Sequence, residues 1–442
     1  MTYLAYYKQI AKLGLPILVG QLGMIVTAFA DNIMVGHYST VALASASFVN
    51  NVFNVAMFCL IGFTYGILPL VGLLNGDRLA IGAMVRVAVR VNLIFSLIVM
   101  GLMTILYFCL DYLGQPPELL PTIRPYYLLM LAGMLPVCLT NAFSQWSYGI
   151  KNTVMPMWVI LGANVLNIIG NYVLIYGHAY MPEMGLTGAG ISTLVSRVAA
   201  AAVLAGWFFL GRGNAEYSAG WRRGSLEHPK TNPGKIWRTS MPVSLQMTFE
   251  SGSFSVAAIM AGWLGAVPLA AFQIIVIIGT LGFCLYYGVG SAVCVLVSNH
   301  AGEGDVPGMR KAGWAGYHAM LAVATCSTFI FIFLARPLMH AFTDDSAVLI
   351  AAMALLFPLA LYQLGDATQV TFANALRGTS HVMPMLWIAF VSYIVVGIPA
   401  TWTLAFPCGM GLYGIILSFS VSLFLAGALF LIFFLRATRR RA

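Results

Sequence analysis

Apolar runs of about 20 residues or more, parted by short polar or Gly/Pro-marked breaks, recur along the whole chain. Twelve can be marked, at 13–36, 47–73, 87–110, 126–146, 156–177, 186–210, 236–263, 267–297, 313–335, 349–375, 382–405 and 411–435. Each is long enough to carry an α-helix across a hydrocarbon core about 30 Å thick. In lipid a helix pairs its own backbone groups, which an open strand cannot do. The pattern predicts an all-α membrane protein with twelve transmembrane helices. One long polar stretch, 211–235, splits the runs six and six. The expected organisation is an N-terminal bundle over 1–210, a cytoplasmic linker over 211–235 and a C-terminal bundle over 236–442.

Internal similarity supports two pseudo-symmetric six-helix bundles. VMPM at Val154–Met157 recurs at Val382–Met385, and GLxGxxxS at Gly185–Ser192 recurs at Gly411–Ser418. Pro16 and Pro242 open the first run of each half, and NGD at 75–77 answers EGD at 303–305. All four pairs are separated by 226 or 228 positions, so they mark one duplication rather than scattered coincidences. Six spans per repeat return the chain to its starting side, so both halves enter the membrane in the same direction.

Composition agrees. Of 442 residues 60% are hydrophobic and 8% charged, against about a quarter charged in a soluble domain. The 44 glycines are spread through the apolar runs, as suits close helix approach in lipid. A net charge of +9 raises nucleic acid as a partner until the basic residues are placed. With the N-terminus inside, every Lys and Arg except Arg124, Arg336 and the mid-span Arg197 falls on the cytoplasmic side, including Lys230, Arg377, Arg440 and Arg441. That bias is an orientation signal with both termini cytoplasmic, and no nucleic-acid partner is expected. The seven cysteines form no Cys-x-x-Cys pair and read as small packing residues. The first apolar run is too long for a signal h-region and is expected to stay as a span.

Three of the thirteen acids lie within apolar runs: Asp31, Glu250 and Asp366. A charge inside a span costs at least about 2.5 kcal/mol, so such a residue is a functional candidate. Glu250 and Asp366 fall near the middle of the seventh and tenth runs, with Gln246 four residues before the first and Tyr362 and Gln363 four and three before the second. Two carboxylates sharing a low-dielectric site cannot both stay bare, and a proton, a metal ion or an organic cation must neutralise them. Competition among these is the chemistry of antiport. In the first half, Asp31 lies in the outer third of its run, and Asn167 and Asn171 form an i, i+4 pair with Asn164 one turn earlier. Asparagine amides can ligate a hard cation, bond a protonated acid, or simply join helices. Arg197 either reaches the interface or pairs with a buried acid. Phe283, Tyr286 and Tyr287 offer aromatic faces to a cation or pack as ordinary apolar groups.

These residues resemble the multidrug and toxic compound extrusion (MATE) family, and within it the NorM-type branch. The resemblance covers essentially the whole chain: the 6+6 pattern, ADNIMVG in the first run, NIIGNY in the fifth, Glu250 in the seventh and DATQVTFANALRG at the tenth. It implies a bacterial inner-membrane antiporter, not an enzyme, that exchanges cationic drugs for Na⁺ or H⁺ by alternating access between two bundles. It needs no cofactor, and the duplicated halves let a monomer suffice. It also implies a C-terminal cation site of Glu250, Asp366, Tyr362 and Phe283, with Glu250, Asp366 and Tyr362 as Na⁺ ligands, and an N-terminal site of Asp31, Asn167 and Asn171. Other branches of the family carry a second acid in the fifth span, where this chain has asparagine.

Other functions compete with this one. A lipid-linked precursor flippase would share the architecture but favours basic residues towards its phosphate cargo. An intramembrane aspartyl protease would use Gly-x-Gly-Asp, matched at Gly302–Asp305, yet that match falls in a charged loop and predicts a turn. There is no GxxxxGK loop for nucleotide and no His-Glu-x-x-His.

Overall fold

The computed structural model describes residues 2–74, 76–114, 116–178, 180–224, 232–340, 342–343 and 345–439. Asn75 of the NGD motif, Lys230 with 225–231 of the expected linker, and Arg440 and Arg441 lie outside them. In chain order the helices are α1 (Tyr3–Tyr38), α2 (Thr40–Thr64), α3 (Ile67–Gly72), α4 (Arg78–Phe108), α5 (Leu120–Ala132), α6 (Met134–Gly149), α7 (Val154–Tyr176), α8 (Gly185–Leu210) and α9 (Ala215–Arg223). The second half continues with α10 (Pro233–Trp263), α11 (Ala266–Glu303), α12 (Val306–Phe333), α13 (Ala335–His340), α14 (Ser346–Met353) and α15 (Leu356–Gly378). It ends with α16 (Met383–Ala389), a π-helical segment (Phe390–Gly397), α17 (Ile398–Ala405) and α18 (Gly411–Arg439).

Among the described residues ten helical stretches are long and apolar enough to cross a membrane, and α14 with α15 adds an eleventh, bent by 50° at its break. The twelfth expected run is α10. Its 31 residues suffice in length, but Gln246, Thr248, Glu250, Ser251, Ser253 and Ser255 make it the most polar of the set. The protein is an all-helical integral membrane protein. Several runs extend beyond the apolar stretch that revealed them. α1 begins at Tyr3, α4 at Arg78 and α12 at Val306, because helices continue into water wherever a cap closes them.

The duplication reappears in the backbone. Asp77 and Asp305 each cap a helix by accepting from the amide three residues on, at 3.0 and 2.9 Å. Gly185 and Gly411, the first residues of the repeated GLxGxxxS, share a φ of +54°, a conformation that favours glycine. Gly188 and Gly414, three residues further in each copy, both lie where a Cβ would press on a neighbouring carbonyl, Leu174 O at 2.5 Å and Leu404 O at 2.7 Å. Each small residue thus permits the same close helix approach.

Two compact units result, one of Val19–Ser244 and the other of Met1–Leu18 with Leu245–Ala442. The divisions fall inside α1 and α10, after Leu18 and Ser244, and these positions are 226 apart like Pro16 and Pro242. The sequence places the expected boundaries at 210 and 236, whereas packing divides the chain two residues after each proline. The start of α1 belongs with the second half because Gly14 and Gly288 meet backbone to backbone: a Cβ on Gly14 would lie 3.0 Å from Gly288 O. Part of the expected linker is the helix α9, docked on α4, with Arg86 Nη1 donating to Trp221 O at 3.0 Å. Of the cysteines, Cys138, Cys284 and Cys294 are buried packing residues, whereas Cys109, Cys326 and Cys408 are exposed.

Candidate functional site

In the unit of Val19–Ser244, Asp31 projects from α1 towards α7 and is bonded by asparagines there. Asn171 Nδ2 donates to Asp31 Oδ1. Turned so that its own bonds are satisfied, the Asn167 amide donates to the same oxygen at 2.9 Å, while its Oδ1 accepts from the Thr193 hydroxyl and amide, each at 3.2 Å. Both asparagines are buried, at 3% and 0% exposure, which the i, i+4 spacing on α7 explains: they share the face turned to α1 and α8. Ser192 Oγ on α8 ties in Asn167 O at 2.7 Å, and Gly170, on the same α7 face, leaves no room between the two helices for a Cβ beside Ser192. Asn171 Oδ1 and Asn164 Nδ2 remain without partners. Arg197, on α8, lies in the electrostatic range of Asp31 and Tyr126, and its Nη1 donates to Met130 Sδ at 3.9 Å. It makes no ion pair among the described residues.

In the other unit, Glu250 of α10 accepts from Gln246 Nε2 at 3.1 Å and from Gln369 Nε2 of α15 at 3.4 Å. Asp366, also on α15, is 2% exposed, and its Oδ2 has no hydrogen-bond partner. The two acids lie in each other's field, together with Tyr362 and Tyr393. In the same unit, Tyr286 of α11 donates to Gln363 Oε1 at 2.7 Å and bonds Ser327 Oγ of α12 at 3.1 Å. Gly282, one turn from Tyr286, would carry a Cβ 2.5 Å from Gln363 Oε1, so glycine there lets α11 and α15 close around the polar layer. Phe283 packs in a small cluster with Tyr286 and Ala367, the residue that follows Asp366 in the sequence.

All seven residues singled out in the sequence fall into these two clusters: Asp31, Asn167 and Asn171 in one unit, and Glu250, Asp366, Tyr362 and Phe283 in the other. Sequence reasoning missed Thr193, Ser192, Gln369 and Tyr393. Gln369 had a signal, since Gln363, Asp366 and Gln369 are spaced by three and line one face of α15. Tyr393 had none. It lies in an apolar run, and the π-helical segment that presents it leaves no mark in sequence. The Gly-x-Gly-Asp match is the expected turn, with Gly304 at φ +73° closing α11 and Asp305 capping α12.

The chain is similar to known proteins along nearly its whole length. It is 28% identical over 402 residues to a probable multidrug resistance protein NorM of Xanthomonas campestris pv. campestris, covering 90% of this chain and 87% of that protein. It is 27% identical over 412 residues to the multidrug resistance protein MdtK of Pectobacterium atrosepticum, covering 91% and 88%. Its fold matches the crystal structure of the eukaryotic MATE transporter AtDTX14 with a TM-score of 0.88 at 16% identity, over 99% of this chain and 98% of that one. The MatE family model matches residues 16–173 and 242–403, so its two matching stretches begin at the paired prolines Pro16 and Pro242. Together they take in well over half of the sequence, and the chain belongs to the MatE family, whose members are transporters and not enzymes.

Proposed function

We propose that this protein is a cation-coupled antiporter that exports organic cations and drugs by alternating access, with Na⁺ or H⁺ as the coupling ion. The observation that carries it is the pair of the half-buried Glu250 and the buried Asp366, on helices joined by the Gln369–Glu250 bond, with Asp366 Oδ2 and Gln369 Oε1 both lacking a hydrogen-bond partner among the described residues. Buried oxygens without donors invite a cation or a proton. Glu250, Asp366 and the Tyr362 hydroxyl supply hard oxygen ligands for Na⁺, and protonation of either acid meets the same need. Phe283 and the tyrosines give an organic cation apolar and π faces. Asp31, with Asn167 and Asn171, forms a second ion-responsive site. Strict exchange follows if the emptied, charged site resists closure, because burying uncompensated charge costs several kcal/mol. The names of the NorM and MdtK relatives support drug cargo. The basic bias of the loops supports placement in a bacterial inner membrane with both termini cytoplasmic.

The test is ethidium efflux from proteoliposomes under a Na⁺ gradient or a pH gradient applied separately. Efflux driven by one gradient names the coupling ion, and efflux under neither sinks the reading. A second reading, transport of a lipid-linked or otherwise anionic cargo, draws on one observation: Arg197 carries a positive charge within a span and meets no carboxylate at ion-pair distance among the described residues. Binding of a lipid pyrophosphate that is lost in Arg197→Gln, together with no efflux of cations, would favour it.

A further inference from the structure

At the junction of α11 and α12, away from both clusters, three side chains converge: His300, Glu303 and Asp305. Their ligand atoms all lie within 4.8 Å of one another. His300 Nδ1 is 3.3 Å from Glu303 Oε2 and 3.1 Å from Asp305 Oδ2. These separations match the edge of a tetrahedral site with bonds of about 2.0–2.1 Å, which is about 3.3 Å. The imidazole is oriented from behind. Tyr6 Oη, in the part of α1 that packs within this unit, is 3.1 Å from His300 Nε2, the kind of outer hydrogen bond that fixes the tautomer of a metal-binding histidine. With Nε2–H directed at Tyr6, Nδ1 presents a lone pair to two carboxylates, and a cation is what such a set holds together. Nδ1 is itself shielded from water.

A glycine keeps the approach open. Gly308 stands over the junction, and a Cβ there would crowd Asp305 Oδ2 and lie 2.6 Å from His300 Nδ1. Asp305 can serve two ends at once, since Oδ1 caps α12 through Gly308 N at 2.9 Å and Oδ2 is turned to the histidine. The turn that joins α11 to α12 thereby holds one nitrogen and two carboxylate oxygens in a fixed arc, with Glu303 half-exposed as the entry side.

We propose that His300, Glu303 and Asp305 bind one divalent transition-metal ion of the zinc type, with water completing the shell. The ion would fasten the α11–α12 turn to the start of α1 through the His300–Tyr6 bond, and would be independent of the transport acids. The full-length protein, purified in detergent and stripped with chelator, is titrated with Zn²⁺ by calorimetry and followed by thermal melting. Co²⁺ absorption serves as the spectroscopic readout. One Zn²⁺ per chain, a raised Tm, and a tetrahedral Co²⁺ spectrum are expected. At least a tenfold weaker affinity is expected in His300→Ala and in Gly308→Ala, which removes no ligand. Glu303→Gln, at an exposed position, covers the case in which the other variants fold poorly. No Zn²⁺ binding by the wild type, or equal binding by Glu303→Gln and Gly308→Ala, would overturn the proposal and leave the three residues as an ion-paired turn.

Discussion

The two acid clusters solve the burial of a carboxylate in opposite ways. Asp31 is met by amide donors: Asn171 and Asn167 both bond its Oδ1, and Asn167 is anchored in turn by Thr193. Asp366 is met by none at Oδ2, while the neighbouring Glu250 takes the two glutamine donors. An acid bonded by two amides is already largely compensated as an anion. A bare one beside a second acid is not. Exchange of a cation or proton should therefore depend most steeply on the Glu250–Asp366 pair, with Asp31 responding over a shallower range.

Asp366→Asn, which keeps shape and removes charge, should lower gradient-driven ethidium efflux by more than about 100-fold, since a charge term of several kcal/mol is lost and each 1.4 kcal/mol is tenfold. Glu250→Gln should follow it closely. Either variant transporting at the wild-type rate in proteoliposomes would remove the pair from the mechanism. Asp31→Asn should lower efflux by about tenfold, the cost of roughly 1.4 kcal/mol; a loss as deep as that of Asp366→Asn would make the two clusters equals. Asn171→Ala probes the compensation itself. Removing the donor leaves a half-buried carboxylate short of a partner and should cost about 1 kcal/mol of stability, read as a lower melting temperature in detergent. Gly282→Ala, which sets a Cβ against Gln363 on the other side of the comparison, should cost a similar amount by overpacking. The smallest effect belongs to Asp111→Asn. Its partner Arg124 lies in the open at 2.8 Å, and no measurable change in melting or efflux is expected.

Much of this was visible in the chain alone. Twelve apolar runs, the paired prolines and the doubled GLxGxxxS gave the helices and the duplication, because lipid imposes length and composition on every span and the repeat copies its caps. Asp31, Glu250 and Asp366 stood out because charge is rare where burial makes it expensive. The asparagine pair was found by its i, i+4 spacing.

What stayed hidden depends on helices meeting. That Thr193 anchors Asn167, that Gln369 reaches across from α15 to Glu250, and that Tyr393 is brought in by a π-helical segment are results of packing between elements far apart in sequence. The division of the chain after Leu18 and Ser244 is of the same kind: both points lie inside helices that continue through them, and although Pro16 and Pro242 stand two residues before, no loop or charge shows that packing changes partner there. Local physics, the length of a span and the cost of a buried charge, writes itself into the order of residues. Which helix a given face will touch is decided only when small residues such as Gly14 and Gly288 allow two backbones to close on each other.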